Sequence, residues 1–161
     1  MTDPVNVGEL ACEPDTSDPP GYQNRAKPIG PLIGAERLGA TIYELPQGQS
    51  TCPYHYEYGR EEWLFVLDGH PILRDPDGEH RLEPGDVVLF PEGPDGAHKL
   101  TNRDPGLARI MILSNTDDPS VGFYPDSAKI GIWPPGSIFR QSDEVDYYLG
   151  ETVTETAPET E

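Results

Sequence analysis

At 161 residues the chain has room for one domain with tails and for a core that holds without crosslinks. Its 29 acidic against 11 basic residues leave a formal net charge of −18, which argues against nucleic acid or an anionic membrane as a partner. Apolar runs such as Trp63–Leu67 are far too short to span a bilayer, and Met1–Val5 has neither a basic segment nor an apolar run.

Residues 1–20 carry Pro4, Pro14, Pro19 and Pro20 among acidic and small residues and read as a flexible leader. Cys12 lies in this leader and Cys52 further on, in unlike surroundings, so both read as free thiols of a reducing cytoplasm. Residues 21–35 mix Tyr22, Ile29, Leu32 and Ile33 with Pro28, Gly30 and Pro31, the composition of an extended arm lying on something apolar. Arg37–Leu45 is the first strand, closed by the turn Pro46-Gln47-Gly48. Next come His55-Tyr56-Glu57, then Glu62, then the apolar run Trp63–Leu67 ending at Asp68-Gly69.

Pro71–Arg74 and Glu79–Leu82 flank Asp75-Pro76-Asp77-Gly78, a hairpin turn with proline to set φ and glycine to accept a positive one. Gly85–Phe90 leads through Pro91-Glu92-Gly93 and Pro94-Asp95-Gly96 to His98 and Asn102. Leu107–Leu113 is apolar at nearly every position, as in a strand covered on both faces. Val121–Tyr124 and Ala128–Trp133 are short strands, and the apolar residues between Ile138 and Leu149 are expected to dock on the domain. Residues 21–150 thus make one domain, and the Thr/Glu/Pro tail 151–161 is expected to be disordered. About eight to ten short strands with Gly/Pro turns and no helical periodicity predict an all-β jelly roll.

Alternation along strands selects the chemistry. His55 and Glu57 share one face, with Tyr54, Tyr56 and Tyr58 on the other; Glu62, Leu64 and Val66 oppose Trp63, Phe65 and Leu67. With Glu62 turned inward, two carboxylates and two imidazoles, His55 and His98, meet inside an apolar enclosure. Burying those carboxylates is costly unless they are paired or bound to a cation, so His55, Glu57, Glu62 and His98 are the candidate metal ligands. Such a hard set favours Mn²⁺ or Fe²⁺, with Zn²⁺ or Ni²⁺ also compatible. His70 and His80 lack an acidic or thiol neighbour at ligand spacing on a strand and read as surface histidines. Asp95 reads as a solvent-facing loop tip.

The two halves of this stretch resemble the two sequence motifs of the cupin superfamily. The first is matched by Gly48, His55-x-Glu57, Glu62 and Gly69, the second by Gly85, Pro91-x-Gly93, His98 and Asn102. Glu57 stands where the family carries a second histidine, one extra residue follows Gly48, and two precede His98. The resemblance implies a single double-stranded β-helix, a divalent metal in its interior, and a homodimer. It implies oxidation, isomerisation or decarboxylation of a small polar molecule, without choosing among them. A non-catalytic small-ligand-binding cupin is one alternative. A metal-free, sugar epimerase-like cupin is another, disfavoured because Arg60, Arg74, Arg81 and Arg109 are scattered along the chain. Apolar outer faces on both motif strands also predict a homodimer, the competing cover being the arm at 21–35 or the segment Phe139–Leu149.

Overall fold

Strand alternation decides which side chains become core. The structure is a computed structural model and describes residues 3–14 and 16–152. Its strands are β1 (Glu13–Pro14), β2 (Arg25–Pro28), β3 (Leu38–Leu45), β4 (Tyr56–Tyr58), β5 (Glu62–Asp68), β6 (Ile72–Asp75), β7 (Gly78–Arg81), β8 (Val87–Phe90), β9 (Lys99–Thr101), β10 (Ala108–Asn115), β11 (Ser120–Tyr124), β12 (Lys129–Trp133) and β13 (Ser137–Arg140). A single helical turn, α1 (Gly30–Ile33), follows β2. Short 3₁₀ turns at Pro94–Gly96, Pro125–Ser127 and Gln141–Asp143 complete the described elements. The additional strands relative to the sequence expectation are short edge pairs such as β1 and β13.

A six-stranded sheet runs β1-β2-β3-β10-β5-β8, a four-stranded sheet β13-β12-β11-β4, and a three-stranded sheet β7-β6-β9. They do not hydrogen-bond into one closed barrel, but together they make a jelly roll. Register fixes the inner face of the large sheet. Ile110 lies opposite both Tyr43 and Val66, Ile112 opposite Thr41 and Leu64, and Glu62 opposite Phe90 and Ser114. Leu45, Leu64, Val66, Phe90, Leu100, Ala108 and Ile110 form the buried cluster, as the alternation in the β5 sequence predicts. The predicted hairpin is β6–β7, with Asp75 Oδ1 accepting from the N–H groups of Asp77 and Gly78 to hold the turn.

Three sequence expectations are modified. Residues 1–20, expected as a flexible leader, include β1, which pairs with β2. Arg109 holds the preceding stretch by donating to the carbonyls of Val7 and Leu10. Tyr54 precedes the strand on which Tyr56 and Tyr58 alternate, so it leaves their face and is buried with the Arg74 guanidinium 3.9 Å from its ring centre. The segment near the C-terminus docks only through β13; Val145, Tyr147, Tyr148 and Leu149 are all at least 65% exposed. The expectation of a disordered tail falls mostly on residues 153–161, which lie outside the described residues.

Ile110 is fully buried at the centre of the large sheet, so Ile110→Ala should cost about 2–5 kcal/mol. Urea unfolding with an unchanged m-value would register the loss as a lower midpoint.

Candidate metal centre

His55 and His98 are joined to each other by their backbones. The His55 N–H donates to the His98 carbonyl at 3.2 Å and the His98 N–H to the His55 carbonyl at 2.8 Å. Directly opposed antiparallel residues project to the same side, so the two rings lie 4.7 Å apart. His98 is fixed further by stacking on Phe90, with ring centres 3.7 Å apart. The Pro94–Gly96 turn before it is tight enough to require glycine: a Cβ on Gly96 would sit 1.8 Å from the Pro91 carbonyl oxygen. Glu62 opens β5 on the inner face, and its Oε2 lies 3.4 Å from His98 Nε2. One ligand atom each from His55, Glu62 and His98 gather within 4.8 Å of one another.

Contacts with backbone carbonyls decide which ring nitrogens are free. His98 Nδ1 is 2.9 Å from the Gly96 carbonyl and His55 Nδ1 is 3.1 Å from the Pro53 carbonyl. A carbonyl can only accept, so each Nδ1 carries a proton and each Nε2 turns a lone pair inward. The cluster is therefore two imine nitrogens and a carboxylate, all acceptors, enclosed together. It needs a proton or a cation between its members, and a divalent ion fits it.

The electrostatics express the same demand. Burial, reinforced by the Glu57 charge, pushes the Glu62 carboxyl up to about 7 against the pulls of His55 and Arg60. Burial and then the neighbouring His55 push His98 down to about 3, keeping it neutral. Burial also opposes charge on His55, but Cys52, Glu62 and Glu57 outweigh it and hold this imidazole up at about 9.

Of the four predicted ligands, the structure gathers His55, Glu62 and His98. Glu57 is on the His55 face of β4, as alternation predicts, but outside the convergent group; its Oε2 lies 3.9 Å from Arg60 Nε. His70 pairs with Glu83 at 2.9 Å and His80 with Asp75 at 3.1 Å, both part-exposed and apart from the centre. Asp95 is exposed. Asn102 is buried and donates to the carbonyls of Leu45 and Gly106, a structural role behind the site. Sequence reasoning missed three neighbours. Cys52 Sγ lies 3.5 Å from His55 Nδ1, Tyr124 stacks on His55 at 5.8 Å, and Tyr43 faces inward from β3. The thiol three residues before a candidate ligand was the one available signal.

Residues 41–114 match the family model of the cupin domain. The chain is a cupin-superfamily protein. This cupin resembles a protein of Acidithiobacillus ferrooxidans provisionally named a sugar phosphate isomerase, at 22% identity over 87% of this chain and 91% of that one, TM-score 0.77. It also resembles a sugar phosphate isomerase from Silicibacter pomeroyi, at 20% identity over 88% and 95%, TM-score 0.76. The polyketide cyclase RemF of Streptomyces resistomycificus shares 22% identity over 74% and 84%, TM-score 0.60. At these identities the likeness is one of fold. No curated protein matches this sequence.

A divalent ion entering the cupin site must displace the proton of His55 below about pH 9 and that of Glu62 below about pH 7. Apparent metal affinity should therefore rise about a hundredfold per pH unit below 7, about tenfold per unit from 7 to 9, and level off above. Both groups have folded values above their unfolded ones, so their contribution to metal-free stability is present at low pH and lost as pH rises. Melting followed from pH 6.5 to 9 should show the metal-free protein weakening and the gap to the Mn²⁺-loaded protein widening.

Proposed function

We propose that this cupin holds a divalent first-row ion on His55, Glu62 and His98 and acts there on a small polar molecule. The observation that carries this reading is the enclosed acceptor-only cluster, in which both imidazoles are held by backbone carbonyls in the ligating tautomer. Two nitrogens and a carboxylate leave coordination positions open, and the set suits Mn²⁺ or Fe²⁺. Such an ion supplies Lewis acidity toward a substrate oxygen. Glu57 is a flanking carboxylate, able to bias the site through its charge while standing next to Arg60. Tyr43, whose hydroxyl is pushed up to about 12 mainly by burial, stays protonated and serves as a donor on the inner wall.

The fold likeness to one sugar phosphate isomerase and to a second protein provisionally named as one leads us to place isomerisation of a small hydroxy-carbonyl compound ahead of oxidation or decarboxylation. Protein purified without a nickel column should contain close to one equivalent of Mn or Fe. Glu62→Gln and His98→Ala should each lose most of it, roughly 10- to 100-fold in affinity or more, and Glu57→Gln markedly less. Metal-loaded protein in D₂O should exchange hydrogen next to the carbonyl of small hydroxyaldehydes, read by NMR. Metal content near zero in the wild type rejects the centre, while bound metal without exchange rejects isomerisation alone.

We also propose a homodimer formed through the outer face of the large sheet. Trp63, Leu89, Val87 and Leu38 are each about half exposed there, and Met111 and Leu113 lie between β3 and β5 on the same face. The leader reaches one end of this face, at Arg109 and Ile42, and Val145, Tyr147, Tyr148 and Leu149 are each at least 65% exposed. A patch of this kind exceeds what soluble monomers usually leave open. Light scattering at micromolar concentration should give twice the chain mass, and Trp63→Glu should halve it.

A further inference from the structure

Arg60 is bonded unlike the four arginines that hydrogen-bond to carboxylates, Arg74, Arg81, Arg103 and Arg109. Arg74, Arg81 and Arg103 each make two-pronged contacts to surface carboxylates, and Arg109 is engaged by Glu44 and two backbone carbonyls. Arg60 instead faces Glu57 at 3.9 Å, beyond hydrogen-bond reach; its Nε–H, like that of Arg109, is buried with no acceptor, but where the other guanidinium nitrogens of Arg109 are bonded, Arg60 has no hydrogen bond among the described residues. A buried donor on a charged group with nothing to donate to is rare in a folded protein and points to a missing partner.

The surroundings say what kind of partner. Arg60 lines a cavity of about 260 Å³ together with Glu62, Tyr43, Thr41, Ser114 and Thr116. Glu62, a member of the candidate metal cluster, thus shares this cavity wall with the guanidinium. Apart from Ile112 and the small residues Gly39 and Ala40, its wall is hydroxyls and charges. The volume falls below the roughly 300–1,000 Å³ of pockets for drug-sized ligands. The loop carrying Arg60 is fixed: Gly59 N–H donates to Glu92, Glu61 N–H donates to Asn115, and Asn115 donates back to the Gly59 carbonyl. The backbone that carries Arg60 is thus fixed before any ligand arrives, in a protein whose net charge of −18 otherwise repels anions.

We propose that Arg60 is the anion anchor of the substrate cavity, so that the ligand is a small hydroxylated carboxylate or phosphate whose anionic group meets the guanidinium while its hydroxyl end faces the metal cluster. The planar fork of arginine matches either oxyanion, and the hydroxyls of Thr41, Ser114 and Thr116 supply further donors. This inference rests on the cavity serving the metal centre already proposed, and its test separates the two.

Mn²⁺ is titrated first, alone, by calorimetry. The loaded protein is then titrated with glycerol, glycerate and glycerol 1-phosphate, which share a skeleton and differ in the anionic group. Glycerate or glycerol 1-phosphate should bind at least tenfold more tightly than glycerol, and whichever binds better identifies the oxyanion. Arg60→Gln should abolish that preference while keeping or slightly tightening the Mn²⁺ isotherm, since a cation is removed. Arg60→Lys should restore part of the preference, which loss of folding would not allow. No preference in the loaded wild type, or an equal one in Arg60→Gln, overturns the anchor and leaves the metal centre standing. Absence of Mn²⁺ binding overturns the centre; the same three titrations on metal-free protein then read the anchor, which predicts a weaker preference that still disappears in Arg60→Gln.

Discussion

The two backbone hydrogen bonds between His55 and His98 are the constraint from which the functional geometry follows. They join the approach to β4 to the approach to β9, segments 43 positions apart in the chain, as a single antiparallel bridge outside any longer ladder. An isolated bridge fixes little by itself. It is held because the jelly roll anchors both sides: Ser50 bridges to Thr101, Gly93 N–H donates to the Glu57 carbonyl, and Phe90 stacks on the His98 ring. Given that bridge, strand geometry sends both imidazoles to one side, and β5 brings Glu62 beneath them.

What the enclosure contains is set by donor and acceptor bookkeeping. Local turns tie each imidazole back to a carbonyl two residues upstream, Pro53 for His55 and Gly96 for His98. The inward nitrogens are left as lone pairs beside a carboxylate that burial makes reluctant to ionise. Cys52, Glu62 and Glu57 hold the His55 imidazole basic against burial, while burial and the neighbouring His55 keep His98 neutral.

The two faces of the large sheet divide the labour. Inside, an apolar floor of Leu64, Val66 and Ile110 gives way toward the Glu62 end to Thr41 and Ser114, so polarity increases along the strands toward the site. Outside, the leader covers one end of the sheet through Arg109, Glu44 and Ile42, and the Trp63–Leu89 end is left bare.

The alternation of β5 and the hairpin at Asp75–Gly78 were legible from the sequence, because each depends on residues within one strand or one turn, and the convergence of His55, Glu62 and His98 followed from parity and spacing. Strand parity needs no knowledge of the partner strand. The position of Tyr54, the burial of Ile42 under the leader and the separation of Glu57 from the ligand group were not legible. Parity says which face a residue takes, whereas the distance at which two side chains meet across that face depends on register, rotamer and competing charges such as Arg60. The same holds for Arg60 itself, which reads in the sequence as one of several scattered arginines. Only the tertiary fold, by pinning residues 59–61 between Glu92 and Asn115, decided that it would face a cavity instead of a surface carboxylate.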